Sequence, residues 1–179
     1  MINHPDYNCA TNAAYEILQK YGSSFPQIDI FGIILSYPNV KVHTYSEAAK
    51  IKNISVYDFA HNIASSEHGL TIFNKKNGHA EVLFNDTKND HTIRFTLAHE
   101  LGHIVLCHKK DGGVEDKEAN CFARNLLCPV PLRKELGLKT LDDYCNAFDV
   151  SERMAQVVID RTPSDAYYIT NNNYKMLTI

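Results

Sequence analysis

His99-Glu100-Leu101-Gly102-His103 decides how this chain is read, because five residues specify a metal site and its base together. On a helix, two histidines four apart lie on one side, one turn apart, and can share one metal ion. Glu100 is rotated about 100° from His99, so it can reach a water at the metal without taking a coordination position. The flanks favour a helix: Leu97, Ala98, Leu101, Ile104 and Val105 form an apolar side, which Phe95 extends. The competing reading is a buried helix that merely carries polar residues.

Working outward, the motif helix is expected to run through about residue 108, with Asn89 or Asp90 as its cap. Two strands precede it, over 69–74 and 79–85, joined by Lys75-Lys76-Asn77-Gly78, whose Asn-Gly pair favours a hairpin. Residues 40–45 alternate apolar and polar and read as a further strand. Helical spacing predicts helices over 9–20 and 28–35, and shorter ones over 46–50 and 55–63, each opened by a Ser. After the motif, a Gly-Gly loop leads to a helix over 115–127 that Pro129 and Pro131 terminate. Helices over 132–136, 141–148 and 151–161 follow. The Tyr- and Asn-rich tail, 166–179, reads as a weak terminal hairpin.

A catalytic zinc usually takes three protein ligands. One extended arrangement places a third His six residues after the second, but Lys109 stands there. His108 is one residue off and too far round the helix. Cys107 continues the His99–His103 stripe a full turn beyond a shared metal and reads as a core thiol. The next helix is the better source. Ala119, Phe122, Ala123 and Leu126 mark its buried face, and stepping back brings Asp116 and Glu115 near that face. Glu118 lies well over a right angle away. A carboxylate entering the core side needs a partner, and a metal is an obvious one. Asp116 is therefore the leading third ligand, with Glu118 and Glu115 as alternatives. All three could instead simply complement the helix N-terminal dipole.

The bulk numbers set bounds. The 179 residues are 44% apolar, enough for a packed core, and the net charge is −3. That balance supplies no electrostatic footprint for nucleic acid or anionic membrane. The polar start and the lack of a long apolar run lead us to expect a cytoplasmic chain without a membrane span. Five scattered cysteines contain no C-x-x-C pair, so most are expected to be reduced, buried small hydrophobes.

Two longer stretches carry a family resemblance. Arg94-Phe95-Thr96-Leu97-Ala98-His99-Glu100-Leu101-Gly102-His103 is followed by Glu118-Ala119-Asn120-Cys121-Phe122-Ala123-Arg124-Asn125-Leu126-Leu127-Cys128-Pro129. Together they resemble the ImmA/IrrE family of bacterial and phage metallopeptidases. Val82-Leu83-Phe84-Asn85 is similar to the strand before that family's motif helix. Phe148-Asp149-Val150-Ser151-Glu152-Arg153-Met154-Ala155 resembles its helix-turn-helix-like segment. The resemblance spans roughly residues 25–162. It implies an α+β fold: a zincin-like core over 1–130, with a small, mainly antiparallel sheet packed on the motif helix. A C-terminal helical, helix-turn-helix-like subdomain and tail would occupy 131–179.

The resemblance also implies a function. Family members are similar to thermolysin-type zincins, with two His, one Glu and a water around the metal. The family's third ligand is a Glu four residues before the Asn, a position held here by Asp116. The implied cofactor is one zinc ion per chain, with manganese as the alternative, and Glu100 is the general base. The implied partner is a helix-turn-helix repressor, inactivated by site-specific cleavage. A second reading makes the chain a metal-stabilised regulator that antagonises a repressor by binding without proteolysis. A third, DNA reading by 151–161, finds little support, since only Arg153, Gln156 and Arg161 offer contacting groups there. For the group that stabilises the oxyanion, the candidates are Tyr144, Tyr167, Tyr168 and His108. Arg94 is expected in a structural ion pair, and Asn120 in a bond to backbone or to the motif helix.

Overall fold

The computed structural model describes residues 4–21, 25–74, 78–110 and 112–169. Helices α1 (Tyr7–Tyr21) and α2 (Ile30–Ser36) lead into strand β1 (Val40–Thr44). Helix α3 (Tyr45–Lys52) and the short α4 (Val56–Asp58), which continues into a π-helical turn (Phe59–Ala64), carry the chain over to β2 (Gly69–Asn74) and β3 (His79–Phe84). Then come α5 (Asp90–Val105), α6 (Gly113–Leu127), α7 (Val130–Glu135), α8 (Leu141–Phe148) and α9 (Glu152–Tyr168).

The architecture is the α+β one that the sequence predicts, a small sheet against the motif helix α5. Strand order is β1-β3-β2. The β2–β3 pair is antiparallel, as a hairpin must be. The connecting residues Lys75, Lys76 and Asn77 lie outside the described residues. Strand β1 joins β3 in parallel, an arrangement that needs the crossover supplied by α3 and α4. Alternation gives the sheet two faces. Val82 and Phe84 enter the main core with α5, α6 and residues from α1 and α2, whereas Leu83 packs with Tyr45, Ala49, Phe59 and Ala60 on the other side. From α8, α9 and the turn between them, Phe148, Ala155, Val158 and Val150 belong to that main core.

Local chemistry sets most ends. Asn89 caps α5, accepting from Thr92 N at 2.9 Å. Helix α3 begins one residue before the expected Ser, because Thr44 and Glu47 form a reciprocal capping box. Helix α9 corrects the sequence reading more substantially. Expected to stop near residue 161, it continues past Pro163 to Tyr168, so 166–168 are helical and not part of a hairpin. Residues 170–179 lie outside the described residues. Proline costs α9 one backbone bond. Thr162 Oγ1 caps the Val158 carbonyl at 2.7 Å, and the buried Asp165 pins the last turn. Asp165 accepts two bonds from Arg124, at 2.8 and 2.7 Å, and one from Arg133 at 3.3 Å, tying α6 and α7 to α9.

Candidate metal centre

Gly102, inside the motif, decides how the next helix approaches. A Cβ there would stand 3.0 Å from the Phe122 ring and 3.2 Å from Ala119 Cα. Only a bare α-carbon lets α6 come this close to α5. The close approach offsets the shortness of the Asp116 side chain, one turn before Ala119. Asp116 Oδ1 reaches 3.6 Å from His103 Nε2, and His103 Nε2 lies 2.9 Å from His99 Nε2. All three donor atoms fall within 4.8 Å of one another.

Second-layer bonds fix where the protons sit. His99 Nδ1 faces Asn120 Oδ1 at 3.0 Å, and an amide oxygen only accepts, so the proton is on Nδ1. The bond is the one expected of Asn120, to the motif helix. His103 is served by a longer chain. Glu118 Oε2 lies 2.9 Å from His108 Nε2, which places a proton there, and His108 Nδ1 lies 2.9 Å from His103 Nδ1. One Nδ1 donates to the other, so the His108 ring links His103 to the Glu118 carboxylate. Glu118 is itself held by the Asp6 backbone N–H at 2.6 Å. Burial, with the neighbouring rings of His99 and His108, pushes the His103 pKa down to about 4, so the ring is neutral near pH 7.

The two Nε2 atoms face each other across 2.9 Å, with the Asp116 carboxylate beside them. Such a set can close around a cation. Ligands about 2.1 Å from a tetrahedral zinc stand roughly 3.4 Å apart, close to the spacings here. The donor set therefore fits the ion that the motif implies. Imidazole nitrogen and carboxylate oxygen suit zinc.

A second glycine seats Glu100. A Cβ on Gly69 would meet Thr96 Cγ2 at 2.5 Å, so β2 lies directly on α5. Two residues on, the Thr71 hydroxyl donates to Glu100 Oε2 at 2.7 Å. Glu100 is buried, at 5% exposure, and so needs that donor. Thr71 and the His108–Glu118 pair escaped the sequence reading.

The remaining candidates resolve as follows. Glu118 serves His108, and Glu115 lies 3.7 Å from Lys110, so neither joins the three-donor group. Cys107 is exposed and not a core thiol, because α5 ends at Val105 instead of continuing to 108. Leu106 caps the helix and Cys107 turns left-handed, φ 56°. Cys107 N then bonds to Ile104 O and His108 N to His103 O, a Schellman closure that folds the His108 ring back onto His103. Cys9 is exposed too, and only Cys121 and Cys128 are buried as expected. Of the oxyanion candidates, Tyr144 is in the core and Tyr167 is 84% exposed at the end of α9. Tyr168 packs against Tyr7, and His108 is engaged with His103. Arg94 makes the expected ion pair, to Asp149 at 3.5 Å. Among the described residues, no helix is long and apolar enough to cross a membrane.

A model of the peptidase family Peptidase_M78, described as IrrE N-terminal-like domain, matches residues 42–156, more than half of the chain. No curated protein matches the chain.

Proposed function

The chain belongs to the Peptidase_M78 family, and from that premise we propose that it is a zinc-dependent endopeptidase acting on a specific protein. The observation that carries this reading is the grouping of one donor atom each from His99, His103 and Asp116 within 4.8 Å of one another, with the buried Glu100 next to His99 in the motif. His99, His103 and Asp116 would hold the ion. Bound there, zinc supplies Lewis acidity, polarising a carbonyl and bringing the pKa of water towards neutrality.

The chain's own residues do the rest. Glu100 takes a proton from the attacking water and returns it to the nitrogen of the leaving amine. The Thr71 hydroxyl on Oε2 fixes the rotation of that carboxylate. Asn120 and the Glu118–His108 chain hold both imidazoles with their Nε2 atoms turned to the same point. Among the described residues strand β2 pairs with β3 on one side only, so its outer edge can take an extended peptide by strand addition beside Glu100.

The substrate we propose is a repressor-like protein. Its support is the family resemblance of the motif helix and the Asn120 helix. The test is to incubate the zinc-loaded protein with helix-turn-helix repressors and look for defined fragments by mass spectrometry. The wild type should release two fragments and Glu100→Gln none. Release by Glu100→Gln at the wild-type rate would defeat the mechanism. Derepression with an intact repressor would favour antagonism by binding alone.

A further inference from the structure

Beyond the metal centre, a cleft of about 630 Å³ lies between the first turns of α5, the middle of α6 and helix α9. Its near end is the back of the metal centre. Asn120, which holds His99, lines it, and so does Phe95, one turn before His99, with ring centroids 6.2 Å apart.

The charge of this cleft runs against that of the chain. Overall the chain carries three more acids than bases, yet the cleft is lined by five Lys and Arg side chains and a single carboxylate. That carboxylate, Asp165, is buried and taken by Arg124 and Arg133. Arg94 is taken by Asp149. Lys117, Arg153 and Arg161 remain, and among the described residues none of them has an ion pair. Lys117 stands on the α6 wall, with Arg153 and Arg161 on the α9 wall. Between the two arginines sits Val157, 41% exposed, and Met154 and Phe95 add apolar surface. An unpaired basic cleft in an acidic protein calls for an anionic occupant.

We propose that this cleft recognises an acidic segment of the polypeptide substrate, flanking the bond to be cut. The inference rests on the endopeptidase reading and names its substrate chemistry. Spacing makes it specific. Arg153, Val157 and Arg161 lie at i, i+4 and i+8 on one side of α9, so the two arginine α-carbons are roughly 12 Å apart. An extended peptide covers that distance in about four residues. The preferred segment therefore carries two Asp or Glu about four positions apart, with an apolar side chain between them over Val157. Lys117 faces them from the opposite wall. A peptide fits better than a nucleic acid, because the surface is concave and partly apolar, and three free cations are few for a phosphate backbone.

Binding is best read without turnover, using full-length, zinc-loaded Glu100→Gln protein and fluorescence anisotropy. The probes are a labelled peptide with Asp at positions one and five and Leu at three, its Asn counterpart, and a labelled DNA duplex. The Asp peptide should bind about tenfold tighter than the Asn peptide, and the preference should fade with added salt. Charge reversal at Lys117, Arg153 and Arg161 together should remove it. Lys117→Gln, Arg153→Gln and Arg161→Gln singly should each weaken binding a few-fold, which guards against misfolding of the triple variant. Equal binding of the two peptides, or preference for the duplex, would overturn the proposal. The two readings fail separately. If wild-type protein cuts peptides without regard to acidic residues, the cleft assignment falls and the endopeptidase stands. If the Asp peptide binds as described but nothing is ever cut, the endopeptidase falls and the cleft stands as a docking site.

Discussion

Helices α6 and α9 both flank α5, and they treat it in opposite ways. Helix α6 closes down on Gly102 until backbone meets backbone, and the imidazole Nδ1 atoms along that seam are committed to named partners. Helix α9 stands off across a cleft, leaving three cations unpaired among the described residues. At the candidate metal centre the polar groups are placed in advance. At the cleft charge is left for the proposed partner to satisfy.

The most severe way to probe the α6 side is Glu100→Gln, which removes the base and leaves the ligands. Turnover should fall by about 10²–10⁴-fold while zinc content, measured by atomic absorption, stays at one per chain. Loss of the ion along with turnover would show that Glu100 helps to hold the metal, and the division of labour along α5 would have to be redrawn.

Glu118→Gln tests whether the second layer matters as the bond pattern implies. An amide can donate to His108 Nε2 as readily as accept, so the proton positions on His108 and His103 are no longer enforced. Zinc affinity by competition with a chelator should drop by about 10–100-fold, with the fold intact by circular dichroism. An unchanged affinity would reduce the Glu118–His108 pair to packing.

Gly102→Val attacks the contact itself. Overpacking at a site 3.0 Å from Phe122 should cost about 1–3 kcal/mol in chemical denaturation. Pushing α6 outward also withdraws Asp116, so zinc binding should weaken by about tenfold or more. The acidic-peptide binding at α9 should suffer less, and equal losses at both places would dissolve the contrast between the two helices.

The mildest probe is acid. His103 has a folded-state value of about 4 against an ordinary 6.5, so the unfolded chain binds the proton first. Its contribution to stability is present above pH 6.5 and lost as the pH falls towards 4. The melting temperature of the metal-free protein should decline through that window. A flat profile would show that His103 is not kept neutral by burial.

The parts legible in the sequence were those that repeat with helical period or act within one turn. His99, Glu100 and His103 could be placed because α5 fixes their angles, and Asp116 because the buried face of α6 could be counted backwards. The hairpin followed from the Asn-Gly pair between two strand-like runs, and the first strand from alternation at Val40 and Val42. Thr71 could not be found this way. It meets Glu100 across 29 residues, and only the packing of Gly69 on Thr96 brings them together. The course of α9 past Pro163 was hidden for the same reason, since Asp165 finds Arg124 and Arg133 on two other helices. Glu118 was judged by its angle from the metal-facing side of α6. That angle ranked it behind Asp116 as a ligand and gave no hint of its bond to His108.

The Schellman turn after Val105 acts as a length gauge. Four residues separate the second ligand from His108, and the bond from His108 N to His103 O holds only for that number. A chain one residue shorter or longer between Ile104 and Cys107 would still display both histidines and the glutamate, and would look intact to any motif search. Its His108 ring would point elsewhere and the Glu118 carboxylate would lose its link to the metal side. The functional word in this sequence is thus ten letters long, His99 to His108, and its spacing is part of its spelling.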